Sequence, residues 1–204
     1  MKINRKGFTL VELLIVISLL GAIALIVIAA INPIEQANRA RDTRFKADSG
    51  QLISAIDRYF VAVSGFPWQA ITPALNTEDS FGFVSAVDPQ VGLCAVSGCT
   101  GASDDGILIT NNELKKEFRS RDFIKSTSTA LDARLFIGKE EGSSASVYSC
   151  FIPKANSTKQ TAIDTATVWS LGTDGTRSTG ACEAVDDVWV GSDIGSSCFV
   201  CVPE

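Results

Sequence analysis

The strongest constraint in the sequence is a run without charge. From Leu13 to Ile31 there is no Asp, Glu, Lys or Arg, and about 20 apolar residues in a helix suffice to cross a bilayer. Glu12 directly precedes the run, and Lys2, Arg5 and Lys6 form a short basic leader before it. A charge within a membrane span costs on the order of 3 kcal/mol at the helix centre and is a functional-site hypothesis by default, so the carboxylate needs a chemical reason.

Three readings compete for this stretch. A secretory signal peptide has a shorter apolar region and a small-x-small cleavage site. Here the run leads into Ala29-Ala30-Ile31-Asn32-Pro33, a weak site of that kind. A plain membrane anchor accounts for the length but leaves Glu12 unexplained. The third reading takes in the order of the whole segment: basic leader, Gly7, Phe8-Thr9-Leu10-Val11-Glu12, apolar helix. That order resembles the type IV prepilin signal, the type III signal peptide of pilins and pseudopilins.

The resemblance implies a defined processing path. A prepilin peptidase would cut between Gly7 and Phe8 on the cytoplasmic side and N-methylate Phe8, and the apolar helix would stay on the mature protein. Cleavage creates an α-amine on Phe8 that is positive at neutral pH. Among packed apolar helices an unpaired charge is costly, and an opposite charge offsets much of that cost. The Glu12 carboxylate of a neighbouring subunit is the expected partner, which makes it a register pin in assembly. Charge alone leaves orientation open, because Arg39, Arg41, Arg44 and Lys46 follow the run while Lys2, Arg5 and Lys6 precede it.

Asn32-Pro33 interrupts the apolar run, and a proline kinks a helix without always ending it. Beyond it Phe45, Leu52, Ile56, Tyr59 and Val63 recur at helical spacing, with charged residues between them. Ser64-Gly65-Phe66-Pro67 is a stop signal. A helix from Phe8 to Val63 would be roughly 80 Å long at 1.5 Å per residue. Gly21 and Pro33 are points where it could loosen in assembly or serve as a plain helix contact and kink.

The rest of the chain is soluble in character. Asn111–Phe118 reads as a short capped helix. Residues 106–110, 133–138, 146–152, 166–172, 187–191 and 198–202 are β-prone and separated by Gly, Ser, Asn and Asp. Residues 139–146 read as a surface loop. The expected fold class is α+β, type IV pilin-like: a long N-terminal helix, apolar then amphipathic, packed on a small antiparallel sheet head. The expected organisation is a leader at 1–7, a transmembrane and assembly helix at 8–31, its amphipathic continuation at 32–64 and a disulfide-bonded head at 65–204.

All six cysteines, Cys94, Cys99, Cys150, Cys182, Cys198 and Cys201, lie in the head. Six thiols allow 15 pairings. A zinc site built from Cys94-x4-Cys99 and Cys198-x2-Cys201 is the rival reading, but a translocated domain with an even count favours disulfides. The expected pairs are Cys94–Cys99, then Cys150–Cys182 and Cys198–Cys201, with the alternative that the vicinal Cys198-x2-Cys201 pair is split between other partners. A redox-active CxxC belongs at a helix start, whereas Cys198-x2-Cys201 sits in a β-prone tail.

Residues 169–193 resemble the calcium loop of the major pseudopilins of type II secretion, in which an aromatic-Ser-Leu-Gly-x-Asp-Gly stretch precedes an acidic pair and a tryptophan. By that resemblance Asp174, Asp187 and Asp186 would supply side-chain ligands, and Leu171 and Thr173 carbonyl oxygens, for Ca2+. Arg177 and Cys182 interrupt the pattern. The alternative is a pair of turns with solvated acids.

Other chemistry is sparsely represented. The chain has no histidine, which removes the commonest general base and metal ligand. P-loop, G-x-G-x-x-G and G-x-S-x-G motifs do not occur. Net charge is −5, so the surface as a whole does not suit nucleic acid. The one basic and aromatic cluster is Arg119, Arg121 and Lys125 near Phe118 and Phe123. The expected function is that of a structural subunit, not an enzyme: a type IV pilus subunit, a type II secretion pseudopilin, or a minor pilin acting as adhesin or DNA receptor. The expected partners are further copies of the chain in a helical polymer, the prepilin peptidase/methyltransferase, an inner-membrane assembly platform and other minor pilins. The expected location is the bacterial inner membrane, then a cell-surface or periplasm-spanning filament.

Overall fold

A computed structural model describes residues 7–30, 32–70, 81–125, 130–142 and 144–203. The chain divides into two compact units, residues 1–37 and 38–204, and the boundary falls within a helix.

The first unit is dominated by α1, Leu10–Ala30. Its Leu10–Ile28 segment is exposed throughout and has the length and hydropathy of a membrane span. A helix apolar on every side has no wet face to present. The second helix, α2, runs Pro33–Val63 and has a start of its own. The Asn32 side-chain oxygen accepts the Glu35 N–H at 3.2 Å, and Pro33 occupies the first helical position, where its missing N–H is no loss. The Asn-Pro pair caps the start of α2, and α1 and α2 follow one another as the long N-terminal helical segment, Leu10 to Val63, that the sequence predicts, with Pro33 at the expected interruption. Ile31 lies outside the described residues. The helix ends at Val63, and Ser64 takes the left-handed conformation (φ 58°) common just past a helix end.

In the second unit α2 lies on a four-stranded antiparallel sheet of order β1-β2-β3-β6. The strands are β1 Phe81–Ser85, β2 Phe136–Lys139, β3 Val147–Phe151 and β6 Val200–Val202. Phe45, Leu52, Ile56 and Tyr59 of α2 are buried as their spacing predicts, while Val63 is 49% exposed. Helix and sheet meet where the Phe45 and Phe151 rings lie 5.6 Å apart and where the Ser49 and Ser149 hydroxyls share a 2.9 Å hydrogen bond. Trp68, Phe136, Ile137 and Phe199 complete a continuous core. The architecture is α+β, with the apolar N-terminal helix followed by an antiparallel sheet.

A hairpin of β4 Trp169–Leu171 and β5 Arg177–Thr179 is bridged to the sheet through Trp169 and Phe199. Its tip reaches β1: a β-carbon added at Gly82 would come 2.2 Å from the Thr173 carbonyl oxygen. Glycine is needed there to admit the close approach. The Arg177 guanidinium sits 3.3 Å from the Tyr148 ring centroid and 4.4 Å from that of Trp169.

A short α3, Pro67–Ala70, precedes β1, and α4 Ile107–Thr110, α5 Asp122–Lys125 and α6 Asn156–Asp164 fall between strands. Several local expectations fail. The β-prone run 106–110 forms α4, and the expected helix 111–118 is a turn leading into a 3-10 segment, Lys116–Ser120. Residues 187–191 form no strand, while β1, β5 and α6 fall outside the runs that the sequence marks as strand or helix. Lys139, expected in a surface loop, ends β2 and is fully buried. Its ammonium donates to the carbonyls of Glu140 and Gly142 and lies 4.9 Å from the Phe66 ring centroid, which solvates the charge internally.

Candidate functional site

Gly7, Phe8 and Thr9 precede α1 and are exposed. The helix opens on a reciprocal cap. Glu12 Oε2 accepts the Thr9 N–H and the Thr9 hydroxyl, both at 2.9 Å, while Thr9 Oγ1 accepts the Glu12 N–H at 3.2 Å. The Leu13 N–H reaches the Thr9 carbonyl at 3.2 Å, which makes Thr9 the N-cap. This is a capping box, and its Thr-x-x-Glu signature is legible as Thr9-Leu10-Val11-Glu12. Beyond the assembly role expected for Glu12, the structure gives it a capping role shared with Thr9.

The cap turns the Glu12 carboxylate back toward the chain's N-terminal side. Phe8 is 85% exposed and lies one residue before the cap. A β-carbon added at Gly7 meets no described atom, so packing within the chain gives no reason for glycine there. An external enzyme that must bring its groups close to the backbone would give one. The segment thus combines a non-helical Gly-Phe bond, a capped carboxylate and an unburied apolar helix.

A family model for the prokaryotic N-terminal methylation motif matches residues 2–28. The chain carries a prepilin-type signal. No curated protein and no solved structure matches the chain. The signal fits the apolar helix that follows it, and together they suggest membrane insertion. The motif marks structural subunits rather than enzymes and implies processing by a prepilin peptidase and assembly into filaments.

The other sequence-derived candidates lie in the head. Its six cysteines form three disulfides, Cys94–Cys99, Cys150–Cys201 and Cys182–Cys198. The first is as expected. The other two replace the expected Cys150–Cys182 and Cys198–Cys201, because β3 and β6 are neighbours and their register sets Cys150 opposite Cys201. With every sulfur paired, the zinc reading of the cysteines fails.

Asp174 and Asp187 of the expected calcium loop are separately engaged. Asp174 closes the β4–β5 turn, accepting the Thr176 hydroxyl at 2.6 Å and its N–H at 3.1 Å, and these bonds hold its carboxyl below the usual range. Asp187 accepts the N–H groups of Glu183 and Ala184 at 2.7 and 2.8 Å, and Asp186 is exposed. Among the described residues no three Asp, Glu, Cys or His side chains form a metal-binding group.

The basic and aromatic cluster is drawn inward. Arg119 pairs with Asp105 and donates to the carbonyls of Cys99 and Gly101. Arg121 Nε lies 3.2 Å from buried Asp48, and Phe118 and Phe123 are core residues. The side chain of Lys125 lies outside the described residues.

Proposed function

We propose that the chain is a structural subunit of a type IV pilus or of the related type II secretion pseudopilus. It is inserted in the inner membrane as a single-pass precursor with its head outside the cytoplasm. It is cut after Gly7, N-methylated at Phe8 and polymerised through α1. The observation that carries this reading is the methylation motif joined to an apolar helix whose first turn holds Glu12 in place.

The energetics support a directional pin. Moving α1 from bilayer to filament core exchanges one apolar surrounding for another, so the hydrophobic effect contributes little to that step. Close helix packing and pairing of the Phe8 amine with Glu12 remain as driving forces. Both charges are costly in an apolar core when alone, so subunits out of register are penalised. The inward ties of Arg119 and Arg121 favour this structural role over that of a DNA receptor.

The test is N-terminal peptide mass spectrometry on native protein, with and without Glu12→Ala. A mature N-terminus at methylated Phe8, with filaments lost in the variant, is the expected result. An N-terminus at Met1, or one beyond Ala30, would overturn the reading. Sheared surface filaments against a secretion defect in a deletion strain separate pilus from pseudopilus.

A further inference from the structure

The disulfides do not follow sequence order. Cys94–Cys99 joins neighbours, but Cys150 skips two cysteines to reach Cys201, and Cys182–Cys198 is nested inside that span. Cys150 and Cys201 are directly opposed on β3 and β6 and fully buried, and Cys182 and Cys198 are also buried. A catalyst can reach these sulfurs only before β6 seats against β3.

Sequence order works against this pairing. The head enters its compartment N-terminal end first. Its thiols emerge in chain order, so Cys150 and Cys182 are available to each other before Cys198 and Cys201 arrive. An oxidase acting on thiols as they emerge yields Cys150–Cys182, then Cys198–Cys201. Each such disulfide takes two electrons and two protons from a thiol pair, with a protein disulfide of the oxidase as acceptor. With Cys94–Cys99 closed as well, that species has consumed all six thiols. Disulfides rearrange through attack by a thiolate, and this chain then has none to offer. Nor can β6 bring Cys201 to Cys150 while both sulfurs are bonded elsewhere.

We propose that the head reaches its native disulfides through an extracytoplasmic thiol–disulfide isomerase presenting a reduced, reactive thiolate. This rests on the proposal above that the head is exported. The catalyst thiolate attacks Cys150–Cys182 at the Cys150 sulfur, forming a mixed disulfide and releasing the Cys182 thiolate. Cys182 attacks Cys198–Cys201 at Cys198, which forms Cys182–Cys198 and frees the Cys201 thiolate. Cys201 then attacks Cys150 in the mixed disulfide, forming Cys150–Cys201 and returning the catalyst thiolate. Three bonds form and three break, with no net electron transfer. Closure of β6 on β3 buries the product and withdraws it from further exchange.

The experiment expresses the full chain in a host with an intact extracytoplasmic dithiol oxidase, with its disulfide isomerase present or deleted. Disulfides are mapped by non-reducing peptide mass spectrometry of membranes quenched with an alkylating agent. Without the isomerase, Cys150–Cys182 and Cys198–Cys201 peptides are expected and the native pairs fall several-fold, while Cys94–Cys99 is unchanged and serves as the internal control. Native pairs at undiminished yield would overturn the proposal. The Cys182→Ser/Cys198→Ser variant makes Cys150 and Cys201 consecutive, so its Cys150–Cys201 yield should not depend on the isomerase, whether or not the variant folds fully. A dependence that persists there also overturns it. Six fully alkylated cysteines in the unmodified chain would instead refute the exported head, and this proposal with it.

Discussion

The carboxylate of Asp42, buried on α2, accepts the backbone N–H groups of Lys154 at 3.0 Å and Ala155 at 2.9 Å, just before α6 begins. The Arg41 guanidinium donates to the same carboxylate at 2.9 Å. One side chain thus ties α2 to the turn between β3 and α6. Asp42→Ala leaves two amide donors and part of a guanidinium without an acceptor, and each orphaned donor costs about 1–3 kcal/mol. The expected loss is about 3–5 kcal/mol in denaturant unfolding of the head. A loss under 1 kcal/mol would show that solvent replaces the carboxylate.

Thr9 and Glu12 allow the cap to be separated from the charge. Thr9→Ser keeps the hydroxyl and should leave the first turn of α1 intact, whereas Thr9→Val removes it and should weaken that turn by about 1 kcal/mol. Glu12→Gln keeps a capping side chain but loses the charge. Amide exchange of residues 9–12 in detergent micelles is expected to be faster in Thr9→Val and near normal in Glu12→Gln. Filament formation should be lost in Glu12→Gln. Filaments at normal abundance in that variant would show that the carboxylate charge is dispensable.

Patterns set by local chemistry were legible in the sequence. The apolar run, the Gly-Phe-x-x-x-Glu order and the α2 core positions follow from span length, motif order and helical period. Strands β2, β3, β4 and β6 coincide with β-prone runs. Ile107–Thr110 misled because a short apolar run does not distinguish a strand from a buried helical turn. Arg177–Thr179 has no apolar alternation, because its place is set by the Asp174 turn and by Tyr148 and Trp169 stacking on Arg177. Cys150–Cys201 was beyond reach because only the β3–β6 register opposes those residues, and register is a tertiary outcome.

Ala166 lies just past the Thr165 C-cap of α6 with φ 53°. Its N–H bonds the Ile163 carbonyl at 3.1 Å, so the left-handed conformation is held by the end of the helix. An L-residue with a β-carbon is strained there by about 1–2 kcal/mol, and glycine is not. Ala166→Gly should therefore stabilise the head by about 0.5–1 kcal/mol after the entropic loss of introducing glycine. A drop in the midpoint of thermal unfolding would contradict this.

Asp48 gives the head a pH signature. Burial pushes its carboxyl above the ordinary range, Arg121 and Arg44 pull it back in part, and Asp122 adds to the rise. A folded-state value above the unfolded one makes this group's contribution greatest below the unfolded pKa of about 3.9, and lost as pH rises through the folded value. Asp104, Asp105, Asp174 and Asp193 are shifted the other way, chiefly by hydrogen bonds, and their contribution is lost as pH falls. The difference between Asp48→Asn and the unmodified head isolates the first effect. The stability of Asp48→Asn relative to the unmodified head should increase as pH is raised from about 4 to 7. A difference independent of pH would mean that Arg121 fully offsets the burial of Asp48.

The three disulfides close loops of different size, with sequence separations of 51 for Cys150–Cys201, 16 for Cys182–Cys198 and 5 for Cys94–Cys99. A cross-link removes conformational freedom from the unfolded chain, and the effect grows with the logarithm of loop length. The expected contributions are about 4, 3 and 2 kcal/mol in that order. Burial acts in the same direction, since Cys150 and Cys201 are fully enclosed and their removal leaves space in the sheet. Paired Cys→Ala substitutions, compared by denaturant unfolding under oxidising conditions, should reproduce this ranking. If removing Cys94–Cys99 costs most, its stabilisation lies in the folded contacts of the 94–106 loop, where Asp104 accepts from Ser97 and Gly101, rather than in the restriction of the unfolded chain.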